Sequence, residues 1–159
     1  MSRRWAIFFL LWASISFAHA APPELRPFGQ GSMKEVALAH AGKPFILAFW
    51  SLNCVHCKSN LELFGTLLKR HSELSLVLVS TDAPEDREAI LAAQERYGLE
   101  KLQTWAFDDR FVERLYFEID RRWRGELPRT YLYDASHQAR TVTGKLDEAD
   151  TERWVKNHY

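Results

Sequence analysis

Two mainly apolar runs, 44–50 and 74–80, stand out along this chain. Each has the length of a strand, and their composition predicts strands buried on both faces in the middle of a helix-covered sheet. Between them, apolar residues at helical spacing predict a helix from about Cys54 to His71. A crossover of that length makes the two strands parallel and joins them in the right-handed sense.

The rest of the chain carries shorter signals, bounded by capping residues, glycines and prolines. The expected elements are an extended arm at the prolines of 22–27, a helix from Met33 to His40 capped by Ser32, a helix with Thr81 or Asp82 at its cap, Pro84 in its first turn and Gly98 after its last, a strand 103–107, a helix from Asp108 or Asp109 to Phe117, a loop 120–127, a hairpin of strands 127–134 and 139–143, and a helix from Asp147 to about His158. Such an alternation of strands and helices predicts an α/β fold.

The first 20 residues have the pattern of an export signal. Arg3 and Arg4 precede an uncharged apolar run, and Ala18-His19-Ala20 then supplies the small residues that a signal peptidase reads. We expect residues 1–20 to be a signal peptide, with cleavage before Ala21 and a periplasmic location. The apolar run is short for a membrane span, which needs roughly 20 residues, so no stable membrane insertion is expected once the signal is cleaved. An uncleaved anchor is the alternative.

Cleavage would leave one domain, residues 21–159, which is long enough for a proper core. The full chain has 21 basic and 21 acidic residues. Because both arginines of the signal are lost on cleavage, the domain carries two more acidic than basic residues. This balance argues against a nucleic-acid partner.

The only cysteines of the chain, Cys54 and Cys57, lie at the start of the predicted helix. A thiol in the first turn of a helix faces unpaired backbone N–H groups and the positive end of the helix dipole, which favour the thiolate. Cys54 is therefore predicted to attack a disulfide of another protein, and Cys57 to resolve the mixed disulfide. A purely structural bridge would close too small a loop to stabilise the fold much. Because the electrons reside on the sulfurs, no organic cofactor is implied.

The cysteines belong to a longer pattern: a strand ending in Phe49-Trp50, the Cys-x-x-Cys at the start of the next helix, and Pro128 at the head of a later strand. Over residues 28–159 the chain resembles the TlpA/ResA group of exported, thioredoxin-fold thiol-disulfide oxidoreductases. The resemblance implies a three-layer α/β/α sandwich around a central mixed sheet. It also implies the extra strand–helix element of that group, ahead of Pro128.

The same resemblance implies how clients bind. Pro128 would be the cis-proline beside the dithiol, and the backbone of Leu127 would pair with an extended client peptide. The expected partners are client proteins with cysteines or disulfides and an upstream thiol-disulfide redox partner; reductase or oxidase direction stays undecided. Trp123, in a polar loop ahead of Pro128, is a further candidate for substrate binding, the alternative being a side chain folded back on its own loop.

Three positions depart from the family pattern. Ala48 stands where thioredoxins have a buried aspartate, and Asn60 stands where the TlpA/ResA group commonly has a glutamate. Asn53 replaces the tryptophan that typically precedes the first cysteine. Both usual acid–base helpers of the second cysteine are therefore missing. His56 occupies the slot of a histidine found in the strongly oxidising DsbA proteins, so we expect it to stabilise the thiolate of the first cysteine and to tune the redox poise.

Two other functions stay open. Two thiolates with His56 suit Cu(I), so a thioredoxin-like copper-binding chaperone for a cuproprotein is one alternative. The other is a client-binding module that keeps the docking groove without turnover. A zinc site would need two further ligands, and the remaining histidines are scattered, so we assign no metal ligands.

Overall fold

The computed structural model describes residues 25–159. The predicted signal peptide and the first part of the proline-containing arm lie outside the described residues. In chain order the elements are β1 (Leu25–Phe28), α1 (Ser32–Ala39), β2 (Phe45–Trp50), α2 (Val55–Arg70), β3 (Leu76–Ser80), a 3₁₀ turn (Pro84–Asp86), α3 (Arg87–Arg96), β4 (Thr104–Phe107), α4 (Val112–Ile119), β5 (Arg129–Tyr133), β6 (Ala139–Thr143) and α5 (Glu148–His158). Within residues 25–159, none of these helices has the length and apolar character that crossing a membrane requires.

One mixed sheet contains the six strands in the order β1-β4-β3-β2-β5-β6. The strands β2 and β3 are parallel neighbours, with Ile46 opposite Leu76, which confirms the prediction from the crossover. The strand β5 is antiparallel to β2, and β6 is antiparallel to β5, which confirms the predicted hairpin. Every residue of β2 is buried, because this strand lies between β3 and β5 under helices on both faces.

Helices cover both faces of the sheet. Side chains of α2, α3 and α5 form one core cluster with Ile46, Ala48 and Leu78. Side chains of α1 and α4 form the other cluster with Phe49 and Trp105 on the opposite face. The predicted three-layer α/β/α sandwich is therefore confirmed. The strand β4 and the helix α4 come between α3 and β5, where the resemblance implies an additional strand–helix element.

The last three residues of the predicted extended arm, 25–27, are extended as expected, but together with Phe28 they form the strand β1 of the sheet. This strand pairs in parallel with β4, and Phe28 is buried in the core. The carbonyl of Phe28 accepts from the N–H of Asp108 at 3.0 Å, so Pro27 turns its nitrogen toward the open edge of the sheet. An edge strand tolerates a proline there, since no ladder hydrogen bond is lost.

The helix α4 begins at Val112, so the predicted start at Asp108 or Asp109 is wrong. The backbone of Asp108 continues the pairing between β1 and β4. The carboxylate of Asp109 accepts a hydrogen bond from the N–H of Phe111 at 2.8 Å and closes a turn. Both aspartates thus end the strand, and the helix follows one turn later.

Of the predicted caps, only that of α5 has the expected form. The Oδ1 of Asp147 accepts from the N–H of Asp150 at 2.8 Å. Ser32 is instead the first residue of α1, and its hydroxyl accepts from the N–H of Gly29 at 3.0 Å. Residues 81–82 do not cap α3, because the 3₁₀ turn comes between them and the helix.

Candidate active site

The helix α2 begins directly after Cys54, which is its N-cap residue. The backbone of Cys54 is extended, and its Sγ accepts a hydrogen bond from the N–H of Cys57 at 3.1 Å. The two sulfurs form a disulfide, with the Cα atoms 5.2 Å apart. After reduction, the same N–H group and the positive end of the helix dipole are placed to stabilise a thiolate at Cys54.

The two cysteines differ in access. Cys57 is 0% exposed and belongs to the core cluster beneath α2. Cys54 is partly exposed and packs at the border of that cluster. An external thiolate therefore reaches the sulfur of Cys54 first, which supports its assignment as the nucleophile and that of Cys57 as the resolving thiol.

The loop before Cys54 is fixed to the end of β3 by a side chain whose role the sequence did not reveal. The Oδ2 of Asp82 accepts from the backbone N–H of Leu52 at 2.9 Å and from the hydroxyl of Ser80 at 2.6 Å. The N–H of Thr81 also donates to the carbonyl of Trp50 at 2.9 Å. Asp82, expected as a helix cap, thus holds the strand–helix junction at which the first cysteine lies.

The second part of the site is the segment at the head of β5. The peptide bond between Leu127 and Pro128 is cis, in agreement with the family resemblance. Pro128 is buried, and Leu127 is half-buried against both core clusters. Among residues 25–159, no hydrogen bond uses the backbone N–H or C=O of Leu127. Both groups are therefore available to an extended peptide. We call residues 127–128 the docking segment.

The predicted client contact of Trp123 is not supported, because this side chain is folded back into the protein. Trp123 is 1% exposed and packs against Phe49 and Tyr116, with ring centroids 4.8 Å away in each case. Its indole Nε1–H donates to the carbonyl of Glu126 at 2.9 Å. Of the two alternatives from the sequence, the structure shows the second: Trp123 supports the loop that leads to the docking segment.

The two positions at which the resemblance implies acids, Ala48 and Asn60, are both buried. Ala48 lies on β2 in the same core cluster as Cys57. Asn60 lies one turn after Cys57 on α2, is 3% exposed and uses its side-chain amide for hydrogen bonds to backbone. Neither residue has an ionisable side chain, so neither can take a proton from the Cys57 thiol.

His56 lies in the first turn of α2 between the cysteines and is exposed. In the described part of the chain, no hydrogen bond or ion pair fixes its imidazole. Among residues 25–159, no three His, Cys, Asp or Glu side chains converge so as to hold a metal ion.

An ion pair that the sequence did not reveal anchors the loop ahead of the docking segment. Arg129, directly after Pro128, pairs with Asp120 and donates to the hydroxyl of Thr143 at 2.7 Å. The backbone N–H of Arg122 donates to the Asp120 carboxylate at 2.9 Å. That bond, followed by the pairing with Arg129, lowers the pKa of Asp120, although partial burial opposes the shift. The loop is therefore tied to β5 and β6 where it meets the docking segment.

Solved structures share this fold, whereas no protein-family model and no curated protein matches the chain. A secreted disulfide oxidoreductase of Mycobacterium tuberculosis, homologous to E. coli DsbE, is 20% identical, with a TM-score of 0.60 over 76% of this chain and 85% of that chain. A thiol:disulfide interchange protein of the thioredoxin family from Chlorobium tepidum is 18% identical, with a TM-score of 0.59 over 77% and 83%. StoA from Bacillus subtilis is 19% identical, with a TM-score of 0.53 over 74% and 86%. The thioredoxin-like fold is thereby established.

Proposed function

We propose that this chain is an exported thiol-disulfide oxidoreductase that exchanges a Cys54–Cys57 disulfide or dithiol with the cysteines of client proteins. The observation that carries the proposal is the asymmetry of the two sulfurs. Cys54 caps a helix and is partly exposed, whereas Cys57 is fully buried one turn later. A bridge with one accessible and one shielded sulfur suits two successive exchange steps better than it suits a structural staple.

In the oxidised protein, a client thiolate attacks the Sγ of Cys54. A disulfide forms between the client and Cys54 while the Cys54–Cys57 bond breaks, and Cys57 leaves as a thiolate that takes up a proton. A second client thiolate then attacks the client sulfur of the mixed disulfide, so that the client disulfide forms and Cys54 leaves as a thiolate. Two electrons pass from the client to the dithiol. The reverse sequence reduces a client disulfide.

The docking segment holds the client during these steps. The unpaired N–H and C=O of Leu127 would hydrogen-bond to an extended client backbone, as when a peptide adds to a sheet edge. Pro128 has no N–H and is buried, so it shapes this surface without competing for the peptide. Trp123 contributes by supporting the loop from within.

The environment of the dithiol sets the redox poise. The helix N-terminus and His56 would stabilise the Cys54 thiolate and with it the reduced form. The neutral side chains at Ala48 and Asn60 give Cys57 no acid–base partner. The net direction of electron flow is then decided by the reduction potential, with a value near −120 mV typical of an oxidant and one near −270 mV typical of a reductant, both approximate.

Export completes the proposal. The pattern of residues 1–20 is that of a signal peptide, and the similar protein of Mycobacterium tuberculosis is described as secreted. In the periplasm, the dithiol would react with the cysteines of client proteins. An upstream thiol-disulfide redox partner would then return it to its starting redox state. Fractionation of the producing cells, with N-terminal sequencing of the mature protein, tests this part separately.

The activity is tested by exchange with a peptide that has two cysteines. The oxidised protein should form the peptide disulfide in one turnover, and the reduced protein should open it again. A glutathione titration measures the equilibrium ratio of oxidised to reduced protein. Cys54→Ser should abolish both reactions, and Asn53→Ser, an exposed neighbour, serves as the control. Exchange that persists in Cys54→Ser would refute the proposed function.

A further inference from the structure

We propose that Asn60 is a positioning residue, which holds the helix that carries Cys57 in a fixed place relative to the docking segment. The proposal rests on the function proposed above. It assigns a role to a position where the family pattern has an acid and this chain has an amide.

Hydrogen bonds through Gly144, in the connection between β6 and α5, join Asn60 to the docking segment. We call this chain of hydrogen bonds the link. The Nδ2 of Asn60 donates to the carbonyl oxygen of Gly144 at 3.2 Å. The N–H of Gly144 donates to the carbonyl oxygen of Pro128 at 2.8 Å. One residue therefore hydrogen-bonds to α2 on one side and to the docking segment on the other. The backbone of Gly144 is left-handed (φ 95°), a conformation that favours glycine.

The same side chain makes a second bond to this connection. The Oδ1 of Asn60 accepts from the backbone N–H of Leu146 at 2.9 Å. The site thus needs a donor toward one backbone group and an acceptor toward another. A side-chain amide supplies both, whereas an ionised carboxylate only accepts and would repel the Gly144 carbonyl. The link explains in physical terms why a neutral amide is suited to this buried position.

The link matters because a client must contact two separate elements at once. Its backbone pairs at the docking segment, ahead of β5, while its sulfur meets Cys54 at the start of α2. Loss of the Asn60 hydrogen bonds would let these elements shift relative to each other and impair alignment of the client. The thiol chemistry itself does not pass through Asn60. The expected signature is a weaker interaction with a peptide client at unchanged intrinsic reactivity of Cys54.

The test compares two reactions of the reduced protein. The first is turnover of a peptide disulfide, with excess glutathione as the reductant that regenerates the dithiol, which needs docking, and the second is alkylation of Cys54 by iodoacetamide, which does not. In Asn60→Leu, the KM for the peptide should rise about fivefold or more, while the alkylation rate should stay within about twofold of wild type. Asn157→Leu, at an exposed asparagine of α5, is the matched control.

A second variant, Asn60→Asp, makes the link pH-dependent. Above the pKa of the introduced carboxyl group, which burial raises, the carboxylate has no proton to donate to the Gly144 carbonyl, so the KM should be raised relative to wild type at the same pH. At acidic pH the protonated group again donates and accepts, and the ratio should return toward one. Because the same protein is compared at two pH values, this variant decides the question even where Asn60→Leu does not fold.

A positioning role is wrong if the peptide KM and the alkylation rate change in proportion, if neither changes, or if the KM ratio of Asn60→Asp does not depend on pH. Failure of the proposed function would look different. In that case the wild-type protein itself would not turn over the peptide disulfide, whatever residue stands at position 60.

Discussion

Ala48 lies directly opposite Thr130 in the antiparallel pair of β2 and β5, on the face of the sheet that α2 covers. The hydroxyl of Thr130 is buried and, among the described residues, has no hydrogen-bond partner. A buried hydroxyl without a partner costs about 1–3 kcal/mol. The position of the missing thioredoxin aspartate therefore lies beside an unused hydrogen-bond donor.

Ala48→Asp is expected to add an ionisation to the pH profile of disulfide exchange. The introduced carboxyl group would be buried on the same face as Cys57, where desolvation raises the pKa of a carboxyl toward the assay range. There it can exchange a proton with the resolving thiol. The Thr130 hydroxyl is placed to donate to the ionised group and so to limit the cost of burying a charge. The measurement is the rate of peptide-disulfide reduction as a function of pH, between about pH 5 and about pH 9.

The matched control is the double variant Ala48→Asp with Thr130→Val. Valine has nearly the shape of threonine but no hydroxyl, so the added ionisation should move to higher pH by about one unit, the equivalent of about 1.4 kcal/mol. A folded Ala48→Asp protein with the wild-type pH profile would show that the missing acid does not limit the exchange.

The elements predicted correctly are those whose residues reveal their environment locally. The strands β2 and β3 are apolar throughout, and α2 has a strong apolar face, so burial could be inferred without knowledge of the neighbours. The strand β1 has four residues, one of them Pro27, and no period of its own. It forms because β4 offers a parallel edge, which is a tertiary effect that overrides weak local propensity.

Thr130→Val alone should leave the protein as stable as wild type or more stable by up to about 1–2 kcal/mol. The reason is that the variant removes a buried polar group that makes no hydrogen bond. Urea denaturation measures the free energy of unfolding, and Thr141→Val, at an exposed threonine of β6, controls for the general effect of valine in a strand. A loss of more than about 1 kcal/mol would mean that the Thr130 hydroxyl has a favourable interaction in solution.

The thiol that attacks the client is expected to be Cys54. In Cys57→Ser, the mixed disulfide cannot be resolved within the protein, so a peptide client should remain covalently attached to Cys54. In reduced wild type, one equivalent of iodoacetamide should label Cys54 rather than Cys57, because only the former is accessible. Mass spectrometry of peptide digests identifies the labelled residue. Selective labelling of Cys57 would reverse the assignment.

The candidate site was predictable from the sequence only where it depends on a local motif. Cys54 and Cys57 follow from a short pattern in the sequence, and Pro128 follows from the resemblance that this pattern supports. The anchors of the site do not, because their partners are distant: Asp82 bonds 30 residues away, and Asn60 bonds 84 residues away. The sequence indicated the wrong environment for Trp123. Its neighbours along the chain are polar, which is typical of the surface, but its ring packs in an aromatic cluster of the core.

Asp120→Asn should destabilise the protein at neutral pH but not at strongly acidic pH. The pKa of Asp120 is lowered in the folded state, so its contribution to stability is fully present above the unfolded value of about 3.9 and is lost as the pH falls through the lower folded pKa. At pH 7 we expect a loss of about 1–2 kcal/mol, because both Asp120 and Arg129 are mostly buried.

Urea denaturation at about pH 7 and about pH 2 measures the difference between wild type and Asp120→Asn, and that difference should shrink at the lower pH. Asp108→Asn, at an exposed aspartate, should change the free energy of unfolding by less than about 0.5 kcal/mol at either pH. An equal loss at both pH values would mean that the charge of Asp120 does not stabilise the loop, and that the asparagine acts through packing alone.

His56 is expected to set the redox poise of the dithiol. If its imidazolium stabilises the Cys54 thiolate, His56→Ala should raise the pKa of the Cys54 thiol in the reduced protein and make the reduction potential more negative. Each pKa unit corresponds to about 1.4 kcal/mol, or about 30 mV for a two-electron couple, so a rise of one to two units predicts a shift of about 30 to 60 mV. Thiolate absorbance against pH and a glutathione redox titration measure the two quantities on the same variant. His56→Lys, which keeps a positive charge, should retain most of the wild-type potential, while His56→Gln should behave like His56→Ala. Equal potentials in all four proteins would leave the helix N-terminus as the sole source of thiolate stabilisation and would assign His56 no part in the exchange.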